Sequence, residues 1–140
     1  MAAAKARPRP RPAISGGPRV RIHPFTAEGA NGRWTVRWRI GNEGDLPLRL
    51  LNAQHPHSQF KSADTTFDVE IGPREETDVR IPVRFAESPG VIVENAFLIL
   101  RLREKGEWRV LARVRVTAGP RGEPLAGDSV VVTTQRVGAH

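Results

Sequence analysis

The sequence predicts an all-β fold, a single antiparallel β-sandwich of seven to eight strands, and three observations carry that prediction. Apolar and polar residues alternate strictly over short runs, as in residues 33–40, "RWTVRWRI". Clusters of Gly, Pro, Asn and Asp separate these runs. No stretch shows the longer spacing of an amphipathic helix. Alternation with a period of two is typical of half-buried strands, and several short strands at this spacing favour a sandwich.

The predicted strands, in chain order, are A (19–25), B (33–41), C (46–53), D (65–71), E (77–85), F (91–103) and G (107–117). Each places alternate apolar side chains on one face; in strands A to E they are Val20 and Ile22, then Trp34, Val36, Trp38 and Ile40, then Leu46, Leu48 and Leu50, then Phe67, Val69 and Ile71, and then Val79, Ile81, Val83 and Phe85. A further segment near 128–137 reads as an eighth strand, which the seven-strand pattern does not place.

Strands F and G form a hairpin whose register can be predicted. A three-residue loop, 104–106, pairs Leu102 with Trp108 and keeps the apolar residues of both strands on one face. A two-residue turn would shift the register by one position and turn the two apolar sets to opposite faces. In the three-residue loop, Gly106 occupies the position where such hairpins favour glycine. The same register places Ile99 opposite Leu111.

The strand order and the turn Asn42-Glu43-Gly44 after strand B resemble those of bacterial immunoglobulin-like modules. The resemblance covers most of residues 19–118 and implies a B–E–D sheet packed on a C–F–G sheet. The antibody-type cysteine pair is absent, because the chain has no cysteine.

The implied B–E–D sheet predicts that charged side chains of strands D and E pair across the sheet. Asp68 and Glu70 on strand D would lie beside Arg80 and Arg84 on strand E, where opposite charges on neighbouring strands are stabilising.

Charge and composition divide the chain into two parts. Residues 1–17 are rich in Arg, Pro and Ala and are expected to form a disordered basic tail, and residues 18–140 the sandwich domain. The net charge is +7, of which the tail supplies +4. The lack of cysteine, of an apolar leader and of any run of about 20 apolar residues favours a cytoplasmic protein without a membrane span, and the resemblance implies a bacterial one.

The outer face of the predicted C–F–G sheet is the first candidate site, because it combines apolar residues with arginines as protein interfaces do. Its residues are Phe97, Ile99, Leu111, Leu51, Arg101, Arg109 and Arg113. A protein partner or a second copy of the chain, forming a homodimer, would occupy this face. The alternative is intramolecular, with segment 128–137, or the loop leading to it, folded over this face.

A weak nucleic-acid or anion binder is the alternative function. Its residues would be Arg7, Arg9 and Arg11 in the tail and Arg37, Arg39, Arg80 and Arg84 on the outer faces of strands B and E. Arginine neutralises phosphates, but this face offers no aromatic residue for base stacking.

An enzyme is the third hypothesis, and the sequence offers no catalytic motif for it. His55 and His57 are the one close histidine pair. In an extended segment both would point the same way, but a metal site needs further ligands that the sequence does not supply. We therefore predict no catalytic residue, no metal and no cofactor.

Overall fold

The computed structural model describes residues 17–138, and these form eleven β-strands and no helix. The strands are β1 (Val20–Ala30), β2 (Arg33–Asn42), β3 (Leu48–Gln54), β4 (Pro56–His57), β5 (Phe60–Lys61), β6 (Thr65–Ile71), β7 (Glu76–Arg84), β8 (Ile92–Arg103), β9 (Glu107–Ala118), β10 (Pro124–Ala126) and β11 (Val131–Arg136). The all-β prediction is confirmed, with more strands than the seven or eight expected. The predicted tail lies, except for Gly17, outside the described residues.

The strands form two antiparallel sheets that pack face to face. Sheet I has the order β1-β2-β7-β5-β4, and sheet II has the order β6-β3-β8-β9. Both C-terminal strands pair with the edge of β9 that β8 leaves free. β10 pairs with Val116 to Ala118 of β9, and β11 pairs with Trp108 to Arg113. Segment 131–136 therefore extends sheet II sideways and is a strand, as the sequence predicted.

One apolar core lies between the sheets and contains the inward residue of nearly every predicted alternation. Its large, fully buried side chains are Trp38, Phe60, Phe85, Ile40, Leu48, Leu50, Ile71, Ile81, Leu98, Leu100 and Leu102. The prediction for Leu46 was wrong: β3 begins at Leu48, and Leu46 is 39% exposed in the preceding turn. Phe67 and Val69 are half-buried rather than buried, because β6 is the edge strand of sheet II.

The β8–β9 hairpin has the predicted register. Leu102 pairs with Trp108 and Ile99 pairs with Leu111 across a three-residue loop. Gly106 has a φ of 119°, a conformation that side chains with a Cβ rarely adopt. The outer and inner faces of this hairpin are therefore assigned as the sequence analysis expected.

The predicted B–E–D sheet is wrong, because β6 pairs with β3 and not with β7. Glu70 lies opposite Arg49, and the guanidinium of Arg49 contacts the carboxylates of Asp68 at 2.8 Å and Glu70 at 3.2 Å. Charge pairing across neighbouring strands is satisfied on β3 instead of on β7. Arg80 and Arg84 consequently lie on a different sheet from the two carboxylates expected beside them.

Asn42 forms the hydrogen bonds that hold residues 72–75 in their path from one sheet to the other. Its side-chain amide donates to the carbonyl of Ile71 at the end of β6, at 2.9 Å, and to that of Leu46, at 2.8 Å. Its backbone N–H donates to the carbonyl of Glu75 just before β7, at 2.8 Å. One residue of sheet I thus holds both ends of the crossover, which prevents β6 and β7 from forming a hairpin in one sheet.

Candidate functional site

An apolar strip runs along the outer face of sheet II. Phe97 and Ile99 alternate with the buried residues of β8, and Leu111 lies opposite Ile99 on β9. All three side chains are half-buried and lie outside the core between the sheets. We call the surface formed by Phe97, Ile99, Leu111, Val131 and Thr133 the outer strip.

β11 enlarges the outer strip instead of covering it. Val131 pairs with Arg113, which pairs with Phe97, and Thr133 pairs with Leu111. Val131 is 48% exposed and Thr133 is exposed. Because β11 pairs edge to edge with β9, it does not fold over the face, and the intramolecular alternative is wrong. Sequence reasoning missed Val131, since the seven-strand pattern did not place its strand.

Arg101 and Arg109 lie directly opposite each other, as predicted. Two like charges in this position are destabilising unless a counter-charge is near. Glu107 supplies that charge, because its carboxylate accepts a hydrogen bond from the Arg101 guanidinium. Nε of Arg101 is buried and has no hydrogen-bond partner in the described part of the chain.

Three arginines on this face are not neutralised by a neighbouring acid. Arg103, Arg109 and Arg113 are exposed, and within residues 17–138 no carboxylate lies within 4 Å of their guanidinium groups. Arg115, by contrast, contacts Glu94 at 3.0 Å. The outer strip is therefore bordered by cations whose charge is available to a partner.

Leu51 is displaced from the position that the alternation predicted. The register of β3 shifts between Leu50 and Asn52, which makes Leu51 the extra residue of a β-bulge. Leu51 is half-buried, and Asn52 occupies the place opposite Arg101. The bulge therefore places a polar side chain beside the arginine pair.

The arginines of the alternative nucleic-acid hypothesis divide into two groups in the structure. Arg39 contacts Asp78 at 3.0 Å and Arg37 contacts it at 3.9 Å. The hydrogen bond from Arg39 is the main cause that holds the pKa of Asp78 below its ordinary value. Arg80 and Arg84 are exposed on β7, and no carboxylate of the described chain lies within 4 Å of either. Arg7, Arg9 and Arg11 lie outside the described residues.

His55 belongs to the core of the molecule. It is fully buried among aromatic rings and accepts a hydrogen bond from the indole N–H of Trp38 at Nε2, at 3.0 Å. Its Nδ1 therefore carries the proton and faces Oγ of Ser62 at 3.3 Å. Burial lowers the pKa of His55 to about 3, so the ring is neutral near pH 7 and has no lone pair free for a metal or a substrate.

The other two histidines of the described chain have different partners. Nδ1 of His57 accepts the backbone N–H of Gln59 at 3.1 Å, and Nε2 of His23 lies 3.0 Å from the carboxylate of Glu76. A cleft in which His23, His55 and His57 converge would support the enzyme hypothesis, but each of the three rings contacts a different partner. Within residues 17–138 no three His, Asp or Glu side chains form a group that could hold a metal ion.

Fold and surface together define an all-β sandwich with one apolar, arginine-bordered outer face. No protein-family model, curated protein or solved structure matches this chain. The described residues also contain no apolar helix of membrane-spanning length. The surface chemistry of the molecule is therefore the basis for a functional assignment.

Proposed function

We propose that this protein is a non-catalytic, immunoglobulin-like β-sandwich module that binds an acidic protein partner through the outer strip. The observation that carries the proposal is the position of Phe97, Ile99 and Leu111 in register on an outer sheet face, which β11 extends at its edge and does not fold over. Apolar side chains flanked by arginine are the composition of interface hot spots. Burying each of them fully in a complex contributes up to about 1.5–3 kcal/mol.

The unpaired arginines favour an acidic partner over a second copy of the chain. In a symmetric dimer the same surface patch meets itself. The acidic residues on this sheet face, Asp68, Glu70, Glu94 and Glu107, already contact arginines of the same chain. A second copy would therefore offer Arg109 and Arg113 mostly carboxylates that already have a partner. A partner that presents Asp and Glu around an apolar centre would instead match this surface and gain association rate from long-range attraction.

The immunoglobulin-like assignment is supported by strand order. β2 and β7 are neighbours in one sheet, and β3, β8 and β9 are consecutive in the other, as this resemblance implies for strands B and E and for strands C, F and G. β6, which corresponds to the predicted strand D, lies in sheet II, where it pairs with β3.

Charge reversal at Arg109 and Arg113 tests the proposal. Both side chains are exposed, so the double Glu variant should fold normally and weaken binding of the partner by about tenfold or more. The partner is first captured from an extract of the source cells and then purified, and its dissociation constant is measured by calorimetry. The matched control reverses Arg21 and Arg121, which are also exposed and have only contacts of 3.9 Å to carboxylates.

Two outcomes contradict the proposal. Equal weakening in the control would show a general charge effect rather than a site. A dimer of the isolated protein in light scattering that the Arg109 and Arg113 changes dissociate would assign the strip to a second copy.

A further inference from the structure

A surface hollow of about 560 Å³ lies on the outer side of sheet I, whereas the outer strip lies on sheet II. The end of β1, the start of β2, the end of β7 and the turn after β5 form its walls. Arg33, Lys61 and Arg84 contribute charged walls, and Pro82 and Ala63 contribute apolar ones. A hollow of this size lies within the range of about 300–1,000 Å³ that small-molecule sites occupy.

The three cations of the hollow lie in one row across three neighbouring strands. Arg84 pairs with Arg33 on one side and with Lys61 on the other. Neighbouring strands are about 4.8 Å apart, so three positive side chains start within about 10 Å. All three are exposed, and in the described part of the chain no carboxylate lies within 4 Å of any of them.

A second cationic pair lies four positions along the same strands, where Arg37 faces Arg80. Arg37 contacts Asp78 at 3.9 Å, and Arg80 has no such contact among residues 17–138. Glu28 contributes one carboxylate to the lining of the hollow. Positive charge therefore exceeds negative charge at this end of sheet I, whereas at the other end Arg39 is paired with Asp78, and Glu76 lies beside His23.

Like charges directly opposite on neighbouring strands are destabilising, so the row of Arg33, Arg84 and Lys61 lowers the stability of the empty protein. Such local unfavourable arrangements are expected at functional sites. An anion placed over the row would convert two repulsions into several charge-assisted hydrogen bonds. The row therefore fits a ligand that carries at least two negative charges.

We propose that this hollow binds a small molecule that carries a diphosphate group. Arg33 and Arg84 hold the phosphoryl oxygens with their planar guanidinium groups, and Lys61 adds a compact positive charge. The apolar walls at Pro82 and Ala63 receive the organic part of the ligand. This site is separate from the outer strip and does not depend on the proposed protein partner.

A small ligand fits better than a nucleic-acid strand for two reasons. The site is concave, and the outer face of sheet I presents no exposed aromatic ring in the described residues on which bases could stack. Trp34 lines the hollow, but it is 3% exposed and its indole N–H donates to the carbonyl of Phe85. Its ring is therefore part of the core.

Titration with inorganic pyrophosphate at about 50 mM salt, where phosphate contacts are strong, tests the proposal. The wild type should bind pyrophosphate with one-to-one stoichiometry in calorimetry and show a higher melting temperature with it. Arg84→Gln should weaken binding by about tenfold or more. Without pyrophosphate this variant should melt no lower than the wild type, because it removes two like-charge oppositions.

Lys61→Gln is the second variant and should weaken binding in the same direction. Arg21→Gln, at the other end of the same sheet face, is the matched control and should bind as the wild type does. The proposal is overturned if pyrophosphate does not bind, or if Arg21→Gln weakens binding as much as Arg84→Gln. It is also overturned if a single-stranded oligonucleotide binds where pyrophosphate does not, since the cations would then serve a nucleic acid.

Discussion

Asn42 shows how a single buried polar residue fixes the connection between two sheets. It is 1% exposed, and its side chain makes three hydrogen bonds, donating to the carbonyls of Leu46 and Ile71 and accepting from the N–H of Gly44. The sequence predicted a turn at Asn42-Glu43-Gly44, and this turn is present. The crossover bond to Ile71 could not be predicted, because its partner is 29 positions away and a backbone carbonyl has no sequence signal.

Replacing Asn42 by Ala should lower the free energy of unfolding by about 2–4 kcal/mol, since three groups lose a partner in or near the core. Urea denaturation followed by circular dichroism measures the change. Gln135→Ala, at an exposed position of β11, is the control and should change stability by less than about 0.5 kcal/mol. A loss as small as that of the control would show that Asn42 does not hold the crossover.

His55 makes stability depend on pH in a defined window. Its pKa is about 3 in the folded protein and about 6.5 in the unfolded chain. Below pH 6.5 the unfolded state therefore binds a proton that the folded state does not, and stability falls as pH falls, by up to about 1.4 kcal/mol per pH unit, until pH is near 3.

Urea denaturation of the wild type and a His55 variant between pH 6.5 and 5 isolates this effect by difference, because both proteins share the lowered pKa values of Asp78 and Glu123 and the pKa of Glu104 that burial raises. His55→Gln keeps an acceptor for Trp38 and should flatten the slope over that window. Equal slopes for the variant and the wild type would contradict the assignment of the acid sensitivity to His55.

At the scale of elements, the β8–β9 hairpin was predictable and the pairing of β6 was not. The alternation on both sides of a glycine-containing loop determines the hairpin register, since a shift by one residue would turn the core-facing residues of the two strands to opposite faces. β6 carries Asp68 and Glu70, and arginines on β3 and on β7 offer the same charge complement. The local charge pattern therefore could not show whether β6 pairs with β3 or with β7. The contacts of Asn42 across the crossover explain why it pairs with β3.

Two adjacent positions of the hairpin loop are expected to respond differently to substitution. Gly106 and Lys105 both have positive φ, 119° and 48°. Gly106→Ala should lower the free energy of unfolding by about 1–2 kcal/mol because a Cβ is strained there, while Lys105→Gly should not lower it. Thermal melts of the two variants beside the wild type measure both effects. A loss in the Lys105 variant as large as that in the Gly106 variant would contradict the loop geometry.

At the scale of the molecule, the two outer faces differ in chemistry. The outer face of sheet II carries half-buried apolar residues beside Arg109 and Arg113, which contact no carboxylate among residues 17–138, whereas one end of sheet I carries the cation row around Arg84. The sequence predicted the apolar face because alternation assigns outward residues. It did not predict that Lys61 joins Arg33 and Arg84, since that row depends on a two-residue strand too short to give a periodic signal.

Photo-cross-linking from matched positions on the two outer faces tests the central claim most directly. Thr133 on the outer strip and Thr35 on sheet I are both exposed threonines of strands, and each is replaced in turn by a photo-reactive amino acid in the source cells. We expect one discrete adduct with an acidic protein from position 133 and none from position 35. No adduct from position 133, or the same adduct from both positions, would contradict a protein interface on this face.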